Sequence, residues 1–180
     1  MESMQAIARY LEAHRLKVVT AESCTAGLIA SKLAESPGAG KWLDCAFVSY
    51  SEDAKIRCLE VDAGLIERFG LTSEEVARAM AEGALRASAA NLGIASTGVA
   101  GPSSGDGEEE VGTVCFAWSF RHAHGIRSFS EKTRFNGDRN TVREAAASYA
   151  LERVPHFHRE FGQATGPTQT GESAAPAVMR

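Results

Sequence analysis

The sequence predicts an α/β fold: a three-layer α/β/α sandwich over a mixed β-sheet. Three observations predict it. Stretches with helical and strand-like periodicity alternate from about residue 5 to residue 153, which calls for helices packed on both faces of a sheet. Two strand-like runs, 111–120 and 126–135, are joined only by Arg121-His122-Ala123-His124-Gly125, so they read as an antiparallel hairpin within the sheet. The 180 residues are 44% hydrophobic and 23% charged, the composition of one globular domain with a sizeable core.

Ile7, Tyr10, Leu11 and His14 recur at helical spacing and predict a helix over 5–14, feeding a β-branched strand over 17–21. The strand meets Glu22-Ser23-Cys24-Thr25-Ala26-Gly27, and a helix with Leu28, Ile29 and Leu33 on one face follows, ending in the breakers Ser36-Pro37-Gly38-Ala39-Gly40. Residues 45–50, almost all apolar, read as a strand buried on both faces. Ser51-Glu52-Asp53 is a helix start, with a capping hydroxyl and acids in the first turn. A short helix over 63–69 stops at Gly70. The pair Thr72 and Glu75 has capping-box spacing and opens the longest helix, 73–90, with Val76, Met80, Ala84 and Leu85 inward. Its many alanines, with Gly83, predict close packing against the sheet, and they also offer a flat face for self-association.

Residues 94–97 form a short strand running into Gly98-Val99-Ala100-Gly101-Pro102. After the hairpin, Phe135-Asn136-Gly137-Asp138-Arg139 is a loop, and a helix over 140–153 is closed by Pro155. From about Gly162 onward the chain loses apolar periodicity. The sequence therefore divides into one domain over 1–160 and a disordered C-terminal tail over 161–180.

Composition also excludes. The net charge of −4, with no lysine and arginine cluster, gives no reason to expect nucleic acid as a partner. No apolar run approaches the roughly 18 residues that span a bilayer, so no membrane partner is expected. The four cysteines are scattered, without a C-x-x-C pair, and fit a reducing cytoplasm. His122-x-His124 and His156-x-His158 lack the cysteine or carboxylate company of a zinc site, so no metal is expected.

Four loops leave strand ends: those at Ser23, at Tyr50 to Lys55, at Thr97 to Pro102, and at Phe135 to Arg139. Ligands gather at the carboxyl ends of strands in such sheets, so these loops are the ones expected to converge. Their inventory suits amide hydrolysis. Ser23 is a candidate nucleophile, and Lys55 a candidate base if burial or nearby positive charge keeps it neutral. The small side chains from Gly98 to Gly101 would let backbone N–H groups approach an anion. Arg139, at a helix start where the dipole disfavours a cation, invites a phosphate. Each residue also has an ordinary reading: Ser23 or Thr25 as a helix cap, Lys55 as a solvated partner of Glu52, Tyr50 as a strand-end aromatic, and Arg139 paired with Asp138 or Glu144.

The blocks TAESCTAGLIA (20–30), FVSYSEDAK (47–55), VARAMAEGAL (76–85), STGVAGP (96–102), VGTV (111–114) and FNGDRNTVR (135–143) together resemble the C-terminal domain of the CinA family, which also occurs alone as a nicotinamide-nucleotide deamidase. Ala26 stands where that family more often has glycine. The resemblance implies an amidohydrolase converting nicotinamide mononucleotide to nicotinate mononucleotide and ammonia, with no cofactor and a homodimeric state. It implies Ser23 as nucleophile, Lys55 as base and Tyr50 nearby. Thr25, Thr97, Gly98, Ala100 and Gly101 would line the substrate, and Arg139 would hold its phosphate. The competing reading is a non-catalytic member that binds a pyridine nucleotide or a protein in competence or DNA damage.

Overall fold

The computed structural model describes residues 3–103 and 109–165. Helix α1 (Met4–Ala13) leads into β1 (Val18–Glu22), α2 (Leu28–Ala34) and, after a 3₁₀ turn at Ala39–Lys41, β2 (Leu43–Val48). Three helices follow: α3 (Glu52–Leu59), α4 (Ala63–Phe69) and α5 (Glu74–Arg86). Then come β3 (Leu92–Gly98), β4 (Thr113–His122), β5 (Gly125–Arg134), α6 (Arg139–Glu152) and α7 (Val154–Thr165).

The five strands form one sheet in the order β2-β1-β3-β4-β5. β1 is parallel to both β2 and β3, whereas β3, β4 and β5 run antiparallel in turn, so the sheet is mixed. Side chains alternate between two cores, as the pleat requires. Val18, Ile94, Val114, Phe116 and Trp118 pack with Ile7, Leu11, Ile29, Leu33, Val142, Leu151 and Phe157 under α1, α2, α6 and α7. Val19, Ala21, Ala95, Cys115 and Ala117 pack with Leu59, Ile66, Val76, Met80 and Leu85 under α3, α4 and α5. This is the three-layer α/β/α arrangement.

Several expectations change. β2 is an edge strand with a single neighbour and is not buried on both faces: Ala46 and Val48 are exposed, Val48 at 55%. Helix α6 ends at Glu152 as expected, but Pro155 does not end the helical region. It sits in the first turn of α7, where its missing N–H leaves no bond unmade. That helix packs Phe157 on Trp118 and Phe161 on Phe120 and runs to Thr165, past the boundary at residue 161; residues 166–180 lie outside the described residues. Helix α5 is capped by Ser73, whose hydroxyl accepts from the Val76 N–H, rather than by Thr72. Its alanines 77, 81 and 84 are fully buried against the sheet, the close packing that their number predicts, so they are not available to a second copy.

Candidate functional site

Because β1, β2 and β3 are parallel, their carboxyl ends open on one side of the sheet, where a cavity of about 740 Å³ lies. Ser23, one residue past β1, is in its wall. So are Cys24, Tyr50, Lys55, Thr97 and Gly98, the segment Arg68 to Thr72 that runs from the last turn of α4 towards α5, and Glu109.

Ser23 is not a helix cap. The N-terminus of α2 is closed instead by the carboxylate of Glu22, a fully buried residue. Its two oxygens accept the Gly27, Ile29 and Ala30 N–H groups at 2.8, 3.1 and 2.9 Å and the Thr20 and Thr25 hydroxyls at 3.0 and 2.8 Å. Five donors on one acid hold the turn rigid from inside. From α6, Arg143 braces it outside, donating to the Cys24 and Thr25 carbonyls at 3.1 and 3.2 Å. The turn has residues 26 and 27 both at positive φ, +50° at Ala26 and +91° at Gly27, and it leaves the Ser23 hydroxyl facing the cavity.

Lys55 reaches that hydroxyl. Ser51 caps α3 through the Ala54 N–H, and the helix directs Lys55 inward rather than to Glu52 and solvent, so the side chain is only 1% exposed. Its Nζ lies 3.0 Å from Ser23 Oγ, 2.9 Å from the Ser49 carbonyl and 3.2 Å from the Tyr50 carbonyl. Burial lowers its pKa from 10.5 to about 8, against the opposing pull of Cys24 and Glu52. A neutral amine has two N–H donors and one lone pair. The two carbonyls can only accept, so they take the donors, and the lone pair is left for the serine O–H. The neighbouring Cys24 thiol is pushed up to about 12 by burial, although its own and the Thr25 backbone amides hydrogen-bond to it. It is therefore a thiol rather than a thiolate at neutral pH.

The family model for the CinA C-terminal domain matches residues 1–157. The chain belongs to that family. A putative competence-damage inducible protein of Symbiobacterium thermophilum is 42% identical over 85% of this chain and 37% of its own length, and a CinA-like protein of Mycobacterium tuberculosis is 44% identical over 75% and 31%. The chain thus spans about a third of the length of these curated relatives. Among solved structures, a CinA superfamily protein from Escherichia coli superposes with a TM-score of 0.79 at 36% identity, covering 86% of this chain and 87% of that one. A competence damage-inducible protein from Klebsiella pneumoniae gives 0.82 at 30% identity, covering 89% and 99%.

Within this CinA domain the other expected residues divide. Thr25 is fully buried, its hydroxyl shared between Glu22 and Ser96, and does not line the cavity. Ala100 packs into the core, and Gly101 is outside the cavity wall with its carbonyl accepting from Arg139 at 2.7 Å. Gly98 does line the cavity, but its missing side chain serves the sheet: a Cβ there would lie 2.5 Å from the Thr113 carbonyl oxygen. The Val99 N–H donates to that same carbonyl, so this donor of the expected anion cradle is engaged. Thr97 is in the wall, its hydroxyl donating to the Leu71 carbonyl at 2.7 Å. Arg139 also donates to the Tyr50 hydroxyl at 2.6 Å, joining the fourth loop to the second, but is itself outside the cavity wall. Its expected acidic partners are engaged elsewhere, Asp138 as the cap of α6 and Glu144 with Lys32.

Glu22, Arg143 and the segment Arg68 to Thr72 escaped sequence reasoning. The first is an acid ending a buried strand one residue before a turn, which is a detectable signal. The last shows as two apolar residues, Phe69 and Leu71, flanking a helix-ending glycine between two helices. No three His, Cys, Asp or Glu side chains come together as a possible metal site, and no helix is long and apolar enough to cross a membrane, among the described residues.

Proposed function

We propose that this CinA-family domain is a nicotinamide-nucleotide amidohydrolase, cleaving the carboxamide of nicotinamide mononucleotide to nicotinate mononucleotide and ammonia. The observation that carries the reading is the 3.0 Å approach of a buried, pKa-lowered Lys55 to Ser23 Oγ. Ser23 Oγ attacks the amide carbon while Lys55 takes its proton. Collapse breaks the C–N bond, and Lys55 returns the proton to the departing ammonia. Water then attacks the acyl-serine ester with Lys55 again as base, releasing the carboxylic acid and restoring the serine. A pyridinium in the cavity further disfavours the ammonium form of Lys55 through like-charge repulsion. The amine must be neutral, so kcat/KM rises with pH and levels off above about 8, and kcat, which reports the substrate-bound site, levels off at a lower pH.

The test is ammonia release from nicotinamide mononucleotide by the purified chain and by Ser23→Ala. The variant is expected to lose activity by about 10³-fold or more with its circular dichroism unchanged. Undiminished turnover in Ser23→Ala overturns the mechanism, and nucleotide binding without ammonia release by the wild type favours the non-catalytic reading.

A further inference from the structure

Three charged side chains line the cavity among the described residues: Lys55, Arg68 and Glu109. Lys55 is committed to Ser23 and two carbonyls. Glu109 is tied to Lys132 Nζ at 2.6 Å. Arg68 has neither an ion pair nor a hydrogen bond to a described residue; its guanidinium rests over the Phe69 ring, 5.1 Å from the centroid. An arginine with its fork unoccupied in a cavity wall is a bidentate anion receptor.

The segment that carries it is fixed. The Thr97 hydroxyl holds the Leu71 carbonyl at 2.7 Å, and the Ser73 hydroxyl holds the Gly70 carbonyl at 2.9 Å. Phe69 and Leu71, 41% and 40% exposed, bring apolar surface to the same wall. Arg139, by contrast, has its guanidinium on Tyr50 and Gly101, outside the wall. A substrate whose carboxamide lies at Ser23 carries its phosphate a ribose away, and 740 Å³ accommodates both ends.

Resting on the amidohydrolase reading above, we infer that Arg68 is the phosphate-recognising and specificity-determining residue of this site, selecting a 5′-phosphorylated nucleotide over the unphosphorylated nucleoside. Thr97 is a positioning residue that holds the arginine's segment in place.

The experiment compares nicotinamide mononucleotide with nicotinamide riboside, the same amide without phosphate, in wild type, Arg68→Gln, Arg68→Lys and Arg139→Gln. Arg68→Gln is expected to raise KM for the mononucleotide by about tenfold to a hundredfold, with kcat and all riboside kinetics little changed. Arg68→Lys should recover part of the loss, since it restores charge without the fork. An unchanged KM in Arg68→Gln, an equal loss on the riboside, or a phosphate-selective loss in Arg139→Gln alone overturns the inference. Should the wild type release no ammonia from either compound, the amidohydrolase reading fails by itself. Calorimetric titration with nicotinamide mononucleotide then decides on Arg68: weaker binding by Arg68→Gln sustains the anion site, and equal binding overturns it.

Discussion

Two turns at the same edge of the sheet, the one after β1 and the one after β3, have similar chemistry and opposite uses. Both follow buried parallel strands, and both combine hydroxyl side chains with small residues and glycine. The first turn draws its support from Glu22 inside and Arg143 outside, which leaves the Ser23 hydroxyl facing the cavity with only Lys55 and the more distant Tyr50 carbonyl bonded to it among the described residues. The second spends its own donors on neighbouring segments: the Val99 N–H bonds Thr113 of β4, the Thr97 hydroxyl bonds the Leu71 carbonyl, and Ala100 joins the core. A turn can present a reactive group when other residues satisfy its backbone. Where a turn's own hydroxyl and N–H groups bond neighbouring segments, they are no longer open to a ligand.

The sharpest way to separate the two turns is Lys55→Met. It keeps volume and burial while removing the proposed base, and turnover is expected to fall by about 10²–10⁴-fold. The same variant has a stability signature. The folded pKa, about 8, is below the ordinary 10.5, so the unfolded chain binds the extra proton between these values. Wild-type stability therefore carries a penalty at and below pH 8 that is relieved as pH rises towards 10.5, worth up to about 3 kcal/mol. Urea unfolding at pH 7 and pH 10 should show this gain in the wild type relative to Lys55→Met, and parallel behaviour of the two chains would refute it.

Glu22→Gln attacks the support of the first turn. An amide can accept at only one of its two ends, so its NH₂ group confronts donors that the carboxylate oxygen had satisfied. We expect a loss of about 2–4 kcal/mol in urea unfolding together with a fall in turnover, because the turn that presents Ser23 loosens. Full stability with normal turnover would mean the turn stands without its buried acid. Thr97→Val is the matching change in the second turn. It removes one hydroxyl from one carbonyl, so stability should fall by only about 1 kcal/mol, and KM for nicotinamide mononucleotide should move more than kcat. A collapse of kcat comparable with that of Lys55→Met would make Thr97 a catalytic group and erase the contrast.

What the sequence made legible follows the same division. Periodicity over ten or more residues located α1, α6, the hairpin and α5 with its buried stripe, because apolar spacing is a property of one segment read alone, whereas α7 lay unread behind Pro155. Features that depend on which segment lies beside which were hidden. β2 looked like a core strand since its residues are apolar, but strand order left it one neighbour. Pro155 has the same local chemistry at a helix end and at a helix start, and only Phe157 and Phe161 packing on β4 decides for the start. Ser23 and Thr25 looked like caps because Ser and Thr usually are. Glu22 won that role because a carboxylate has two acceptor oxygens and reaches three amides at once. Lys55 was found through its place just past a strand end, but its inward direction needed α3 to be docked on the sheet.

The smallest expected effect tests whether the first turn's shape belongs to its neighbours or to its own residues. Ala26 lies at φ +50°, where the Cβ of an L-residue clashes with the following carbonyl at a cost of about 1–2 kcal/mol. Glycine at this position removes that clash but surrenders about 0.5–1 kcal/mol of chain entropy on folding. The balance favours Ala26→Gly by about 0.5 kcal/mol, visible as a slight rise in the urea midpoint, with ammonia release within twofold of wild type. If Glu22 and Arg143 define the turn, relieving residue 26 cannot move Ser23 relative to Lys55. A change in turnover beyond that range would show that the alanine itself tunes the approach of hydroxyl to amine.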